Sequence, residues 1–365
     1  MKKILLISKE WAPLNKTGLG YASSEHAKIL TENGNKVITV GIKNKELDYK
    51  IQIKNIFVFL INYNFFLKKI DNILENEKPD LVVIETLQTL ISELFILRAK
   101  KKKFKVILIS HGVSIFPYQK KIKYFLRSLI WMPYIFLLNH IISKIDYFFS
   151  LDDNKNYSRN FDTFVAKKYK KEILTYNNFS RFENIKTTFD NESNKKKIIL
   201  CLGYINHIKN QISLVDVAKE IKDLNIEIRI VYNNYDKKYL KKLKKKINSN
   251  NLTNIKFIQE SDTNIGFEIS NSWLLINLSA TEMSPLSIIE GLSLKKPFIA
   301  LDNGGIYKFK GGIINYSIKQ IIFNIRSSYF NNFFISKLNK ISLNDYNENF
   351  SKKNCKKSFL KINSL

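Results

Sequence analysis

The stretch Leu278-Ser-Ala-Thr-Glu282-Met-Ser-Pro285-Leu-Ser-Ile-Ile-Glu290-Gly-Leu-Ser-Leu-Lys-Lys-Pro297-Phe-Ile-Ala300 is the most informative in the chain. An apolar run, Trp273–Leu278, leads into it and reads as a buried strand; a second, Pro297–Leu301, closes it. Ser284 suits a helix N-cap and Pro285 a first helical position, so a helix is expected from about Pro285 to Leu294. A helix leaving the carboxyl end of a strand presents free N–H groups, which suit a diphosphate. Glu282 falls just before that helix, and Glu290 about one and a half turns inside it. Carboxylates on either side of a diphosphate suit the hydroxyls of a donor sugar and of a ribose. Two glutamates eight residues apart are common, and spacing alone favours a loop acid and a solvated helix residue.

The pattern around this stretch defines a fold class. Lys197–Leu202, Ile226–Tyr232 and Ile255–Ile258 read as further strands, with helices at Ile212–Leu224 and Tyr239–Asn248 between them. A polar stretch, Arg181–Lys197, precedes them with the composition of a linker. In the first half, Lys3–Ser8, Lys36–Val40, Ile56–Leu60, Leu81–Ile84, Phe104–Ser110, Asp146–Ser150 and Glu172–Tyr176 read as strands, and Ala22–Asn33 and Phe66–Asn76 as helices. The strands are rich in Val, Ile and Phe and do not alternate, as fully buried parallel strands should. Strand–helix alternation implies two α/β units, each a doubly wound, Rossmann-like sheet covered on both faces. The expected spans are residues 1–177 and 178–345, with a tail at 346–365. Tandem units of this kind favour a ligand in the cleft between them.

Ser279, Glu282, Glu290, Gly291, Pro297, the apolar Phe298–Leu301 and Asp302-Asn-Gly-Gly305 occur in an order that resembles the signature of family-4 retaining glycosyltransferases, within the glycosyl transferases group 1. Those enzymes commonly have Phe-Gly where this chain has Ser284-Pro285. The resemblance implies the GT-B fold, with two Rossmann-like domains facing a central cleft. It also implies transfer of a sugar from a nucleotide-sugar donor with retention, using no metal and no cofactor besides the donor. Glu282 would contact the donor sugar and Glu290 the ribose. Ser284, Ser287 and the amides of Leu286 and Ser287 would hold the diphosphate, because Pro285 has no N–H to give. The tail Asn347–Leu365 would be the helix that crosses back to the first domain.

Other landmarks extend the resemblance over residues 1–316. Gly18 and Gly20, in Thr17-Gly18-Leu-Gly20, stand where the family has a glycine-rich loop after its first strand, although a plain strand–helix turn explains them too. His111, in Ser110-His111-Gly112, follows a buried strand and matches a family His-Gly near the donor sugar; a packed or surface histidine is the bland alternative. Gly203-Tyr-Ile-Asn-His-Ile-Lys209-Asn210 resembles a segment with an arginine and a lysine that neutralise the diphosphate. Lys209 matches the lysine, but Tyr204 stands where the arginine is expected, a loss of a bidentate phosphate clamp. Asn177 or Asn178 resembles the family's hinge asparagine, without its glycine.

Composition bounds the remaining possibilities. The 365 residues allow two domains, and the formal net charge is +28. That charge suits a polyanion or an anionic membrane surface, yet Lys, Asn and Ile are abundant throughout, as in a global compositional bias. The lysine clusters are not joined to an aromatic binding motif, so no nucleic-acid partner is expected. Cys201 and Cys355 form no CxxC pair, and the four histidines show no ligand spacing in sequence. The N-terminal apolar run is too short for a signal peptide, and a cytoplasmic setting is expected. The uncharged stretch Ser128–Ser143 falls short of a transmembrane span. Residues 120–149, basic and then aromatic, suit either a helix lying in a membrane interface or a packed helix pair. The membrane reading would make the acceptor a lipid-linked saccharide, as in assembly of a surface polysaccharide. Three other functions stay open: a noncatalytic binding relic of the same fold, a sugar-nucleotide epimerase, and a polyanion-binding protein.

Overall fold

Runs of Ile, Val, Leu and Phe form the strands of two sheets, and in β5 (Leu81–Glu85) every residue is buried. The computed structural model describes residues 1–12, 17–43, 49–53, 56–62, 66–116, 122–151, 160–183, 185 and 196–365. The chain divides into two units. One comprises Met1–Tyr176 with Cys355–Leu365, the other Asn177–Asn354.

In the first unit the strands are β1 (Lys3–Ser8), β2 (Lys36–Lys43), β3 (Tyr49–Ile53), β4 (Ile56–Asn62), β5, β6 (Lys105–Ser110), β7 (Tyr147–Ser150) and β8 (Ile173–Thr175). Their order is β3-β4-β2-β1-β5-β6-β7-β8. All pairs are parallel except β3 with β4, which is antiparallel. The strand β3 was not expected. Its sequence Tyr-Lys-Ile-Gln-Ile is too short and polar to read as a buried parallel strand, and an antiparallel edge accepts such a sequence. Helices α1 (Gly18–Glu32), α2 (Phe66–Glu77), α3 (Ile91–Lys101), α4 (Ile122–Trp131), α5 (Tyr134–Lys144) and α6 (Phe161–Lys168) run between strands. The core of this unit includes Leu5, Val82, Leu108 and Phe148 from the sheet and Phe95, Leu138 and Ile141 from the helices.

In the second unit β9 (Lys197–Leu202), α7 (Leu214–Glu220), β10 (Ile226–Tyr232), α8 (Lys237–Asn248), β11 (Ile255–Gln259), α9 (Ile265–Asn271), β12 (Leu274–Asn277), α10 (Leu286–Ser293), β13 (Phe298–Leu301) and β14 (Gly312–Asn315) follow in turn. Then come α11 (Ile318–Tyr329), α12 (Asn332–Asp345) and α13 (Lys352–Ser364). The sheet order is β11-β10-β9-β12-β13-β14, all parallel. This is the doubly wound Rossmann order, in which strand order reverses beside the first strand. The expected helix Ile212–Leu224 is shorter: a 3₁₀ turn, Gln211–Ser213, precedes α7, which ends at Glu220. Asn210, left-handed at φ 55°, brings the chain into that turn. Side-chain caps define other starts: Asp236 accepts from the Tyr239 amide and Ser317 from that of Gln320.

The tail has a π-turn, Tyr346–Phe350, ahead of α13. From Cys355 onward α13 belongs to the first unit, where Phe359 is fully buried and Asn363 bonds the Asn33 carbonyl and the Asn35 side chain. Residues 186–195 of the expected linker lie outside the described residues.

Candidate functional site

Open parallel sheets bind ligands where the strand order reverses, at the carboxyl ends of the strands. In the second unit that point lies between β9 and β12. The loops after these two strands carry Lys209 and Glu282, and the loop after β13 packs beside them.

In the β9 loop, Asn206 Oδ1 accepts from the amides of Ile208 and Lys209, both at 2.9 Å, an Asx turn that fixes the lysine's backbone. Gly203 has φ +127°, and Lys209 Cε passes 3.6 Å from where a Cβ there would stand. Lys209 Nζ then lies 2.5 Å from Glu282 Oε1. Glu282 itself is buried. Its loop is held on two sides: the Ala280 amide donates to the Ile208 carbonyl at 2.7 Å, and the Glu282 amide to that of Asn303 at 3.2 Å. Asn277 Oδ1 accepts from both the Ser279 amide and Asn303 Nδ2. Gly305 is required here, because a Cβ would stand 2.4 Å from the Glu282 carbonyl oxygen.

The helix after Glu282 begins one residue later than expected. Pro285 is the cap residue, with extended ψ of 113°, and Leu286 is the first helical residue. Ser284 is therefore not the N-cap. A proline keeps the residue before it extended, and one position outside the cap a hydroxyl no longer reaches the first-turn amides. Ser284 Oγ and Thr281 Oγ1 are buried without a hydrogen-bond partner. The amides of Leu286 and Ser287 donate to no group among the described residues. Two orphan hydroxyls and two free amides thus lie within five residues of Glu282 in the chain. Each buried orphan costs about 1–3 kcal/mol unless a polar partner arrives.

Glu290 lies deeper in α10. Its Oε1 accepts from Arg181 Nε at 2.7 Å. Burial raises the Glu290 carboxyl above its usual range, Arg181 pulls it back, and the Glu260 charge adds to the rise. Arg181, placed by sequence in a linker, was not expected at a site; nothing in its neighbours marks it. Tyr204 is half-buried, and its carbonyl accepts from Gln211 Nε2. Asn177 donates to the Asn349 carbonyl, a structural contact.

In the first unit the strand order reverses at β1 and β5, where Ser8 is in register with Glu85. Glu85, fully buried, accepts from His26 Nδ1 at 2.8 Å and from His111 Nε2 at 2.6 Å. Burial alone would raise this carboxyl, but the His26 charge and the hydrogen bonds from both imidazoles lower it to about 2. Tyr176 stands edge-on to both imidazoles, and Phe359 covers His26 at 4.6 Å. His111 keeps a partly exposed side chain. The histidines, unremarkable in sequence, thus include a pair gathered on one carboxylate from α1 and the β6 loop. Their ligand atoms and that of Glu85 lie within 4.8 Å of one another. That donor set suits a divalent transition metal, and it equally suits two imidazole N–H groups shared by one carboxylate. Cys201 and Cys355 are free and buried, and burial pushes the Cys201 thiol up to about 12.

Gly18 and Gly20 form the first turn of α1 rather than a loop. Thr17 caps this helix, accepting from the Gly20 amide at 3.0 Å. Neither glycine has positive φ, so the turn does not depend on their freedom. Thr17 in turn hydrogen-bonds Glu10. The structure joins Lys209 with Glu282, Glu290 with Arg181, and His111 with Glu85 and His26. Gly18, Gly20 and His111 belong to one unit and Lys209, Glu282, Ser284, Leu286, Ser287 and Glu290 to the other.

Residues 183–309, which span β9 to the loop after β13, match the family model described as Glycosyl transferases group 1. No curated protein sequence matches the chain. Among solved structures, sucrose-phosphate synthase from Thermosynechococcus elongatus aligns with TM-score 0.79 at 14% identity, over 100% of this chain and 98% of that one. A glycosyltransferase from Rickettsia africae aligns with TM-score 0.71 at 18% identity, over 99% and 97%. The Anabaena protein HepE, solved in complex with UDP and glucose, aligns with TM-score 0.73 at 13% identity, over the whole of both chains. At these identities the likeness is one of fold. The chain thus has the GT-B fold of two Rossmann-like units along its length, and the match to the Glycosyl transferases group 1 family is carried by residues 183–309 of its second unit.

Proposed function

We propose that the protein transfers a sugar from a nucleotide-sugar donor, a UDP- or GDP-sugar, to a saccharide or lipid-linked saccharide, with retention as in family 4. The carrying observation is the unsatisfied polar set around Glu282: the Thr281 and Ser284 hydroxyls and the Leu286 and Ser287 amides, beside the Lys209 ammonium. A diphosphate supplies acceptor oxygens to all of these, and a sugar hydroxyl supplies a donor to Glu282.

In this reading the amides and Lys209 stabilise charge on the departing diphosphate, and positioning of the anomeric carbon supplies much of the remaining acceleration. Glu282 orients the sugar, and Lys209 holds that buried carboxylate in place. Glu290 holds the ribose while fastened to Arg181. His111, fixed by Glu85, is the first unit's candidate for catalysis. The leaving-group charge is met by protein groups, so EDTA should leave transfer intact. A cytoplasmic setting and a role in surface polysaccharide or glycoconjugate assembly complete the proposal; no nucleic-acid partner is part of it.

The first test is a thermal-shift screen with UDP, GDP, ADP and their sugars, on the parent and on Lys209→Ala. Binding to the native state raises the melting temperature. A shift with one nucleotide, weakened in the variant, supports the donor site; no shift with any of them overturns it. A second reading, a noncatalytic sugar-nucleotide-binding protein, is favoured by Tyr204 in the place of an arginine clamp. Nucleotide binding without turnover across an acceptor panel would select it.

A further inference from the structure

The helix α4 is amphipathic in the reverse sense. Ile122, Phe125, Leu126, Leu129 and Ile130 follow the i, i+3, i+4, i+7, i+8 spacing of a single helix face, which in a packed helix points at the core. Here that face is turned to solvent. These five residues, with Met132 and Phe136 just beyond, are each between 45% and 80% exposed. The inward side holds Ser128, which is buried, and Arg127, whose guanidinium donates to the Ser114 carbonyl at 2.9 Å. The helix α5 fastens the pair to the unit: Leu138, Ile141 and Ile142 are fully buried in the core. Tyr134 is tied to Glu93 and to the Gln88 amide, and Trp131 packs edge-on against it.

We infer that this face docks on an anionic lipid bilayer. The accompanying charge selects that occupant. From Leu94 to Ile145 the sequence contains no Asp or Glu, while Lys120, Lys121, Lys123 and Arg127 lead into or lie on α4. An apolar stripe in an acid-free, lysine-rich segment that also holds Trp and Tyr has the composition of an interfacial helix. A second copy of the chain fits less well, because a two-fold contact through this face would bring together two acid-free segments with the same excess of lysine and arginine. The pair lies on the bilayer rather than across it. No single helix among the described residues is long and apolar enough to span, α4 and α5 bend by 54° at their break, and the inner face of α5 is taken by protein.

The test is cosedimentation of the protein with vesicles of phosphatidylcholine alone and of phosphatidylcholine mixed equally with phosphatidylglycerol. The readout needs no substrate, so it stands apart from the transferase reading. The protein is expected to sediment with the mixed vesicles, and at least tenfold less with phosphatidylcholine alone or in high salt. The double variant Ile130→Glu/Phe136→Glu, at exposed positions, is expected to lose sedimentation while keeping its melting temperature. A second variant, Phe125→Ser, should weaken it in part. Failure to bind the anionic vesicles, or equal binding by parent and double variant, overturns the inference. So does a parent that is dimeric without lipid, in light scattering, and becomes monomeric in the double variant.

Discussion

His111 Nε2 and Glu85 Oε2 lie 2.6 Å apart, and the carboxylate that holds this imidazole has no solvent exposure of its own. A histidine whose one nitrogen is committed to a buried carboxylate has its ring orientation and tautomer set by that bond. Glu85→Gln preserves the shape but replaces an ionised acceptor by an amide. We expect kcat to fall about tenfold or more with KM little changed, and the pH–rate profile to change form. Steady-state kinetics across pH checks this; a uniform loss at every pH, with an unchanged profile, would indicate a merely structural role.

Acid should loosen the first unit through the same residue. The Glu85 carboxyl is held at about 2, below its ordinary 4.5. A group depressed in the folded state contributes stability that is complete above its unfolded value and is lost as pH falls through the folded one. Stability is therefore expected to drop between about pH 4.5 and pH 2, and Glu85→Gln should flatten that limb. Urea midpoints over this range provide the measurement.

Lys209→Ala removes the ammonium beside Glu282. Donor affinity should fall at least tenfold, about 1.4 kcal/mol. Lys209→Arg should recover part of it, since charge is kept and geometry is not. Isothermal titration with the nucleotide found by thermal shift reads both. Tyr204→Arg is expected to move affinity the other way, by restoring a second cation to the β9 loop.

Gly305→Ala tests the brace behind Glu282. The new methyl would stand 2.4 Å from the Glu282 carbonyl oxygen, so the backbone must shift. A destabilisation of about 2–3 kcal/mol is expected, with a loss of donor binding beyond what stability accounts for. Denaturant midpoints separate the two effects.

Arg181→Ala leaves Glu290 buried without its partner. The carboxyl, already raised by burial, should rise further. The cost should be on the order of 3 kcal/mol at neutral pH, as for a broken buried pair. Because a raised carboxyl favours the protonated folded state, the variant should regain relative stability as pH falls towards 5. Thermal melts of Arg181→Ala and Arg181→Ala/Glu290→Gln at pH 5 and pH 8 test this.

The sheets were legible because buried parallel strands are written in unbroken Val, Ile and Phe, and because Glu282, Glu290, Pro297 and Gly305 keep a recognisable order. The α10 start was misread by one residue, since both Ser284 and Pro285 have good reasons to cap a helix and only geometry chooses. The polar partners of the site residues could not be read at all. His26 and His111 lie 59 and 26 residues from Glu85, on different elements, and Arg181 is 109 residues from Glu290. Such pairs are products of topology and leave no periodicity in the chain. The edge strand β3 escaped for a different reason: its sequence, Tyr-Lys-Ile-Gln-Ile, is short and polar enough to read as loop.

The placement of Phe359 and Asn363 among residues of α1 bears on how the chain is made. The second unit is one continuous segment, Asn177–Asn354, with every residue of its core inside it. The first unit begins first and finishes last. The ring that covers His26 and the amide that bonds Asn35, 328 residues away in sequence, arrive only with the final turns of α13. Closing so long a loop is slow, and until it closes the surface around His26 stays bare. The first unit can therefore complete its core only after the whole of the second has been made.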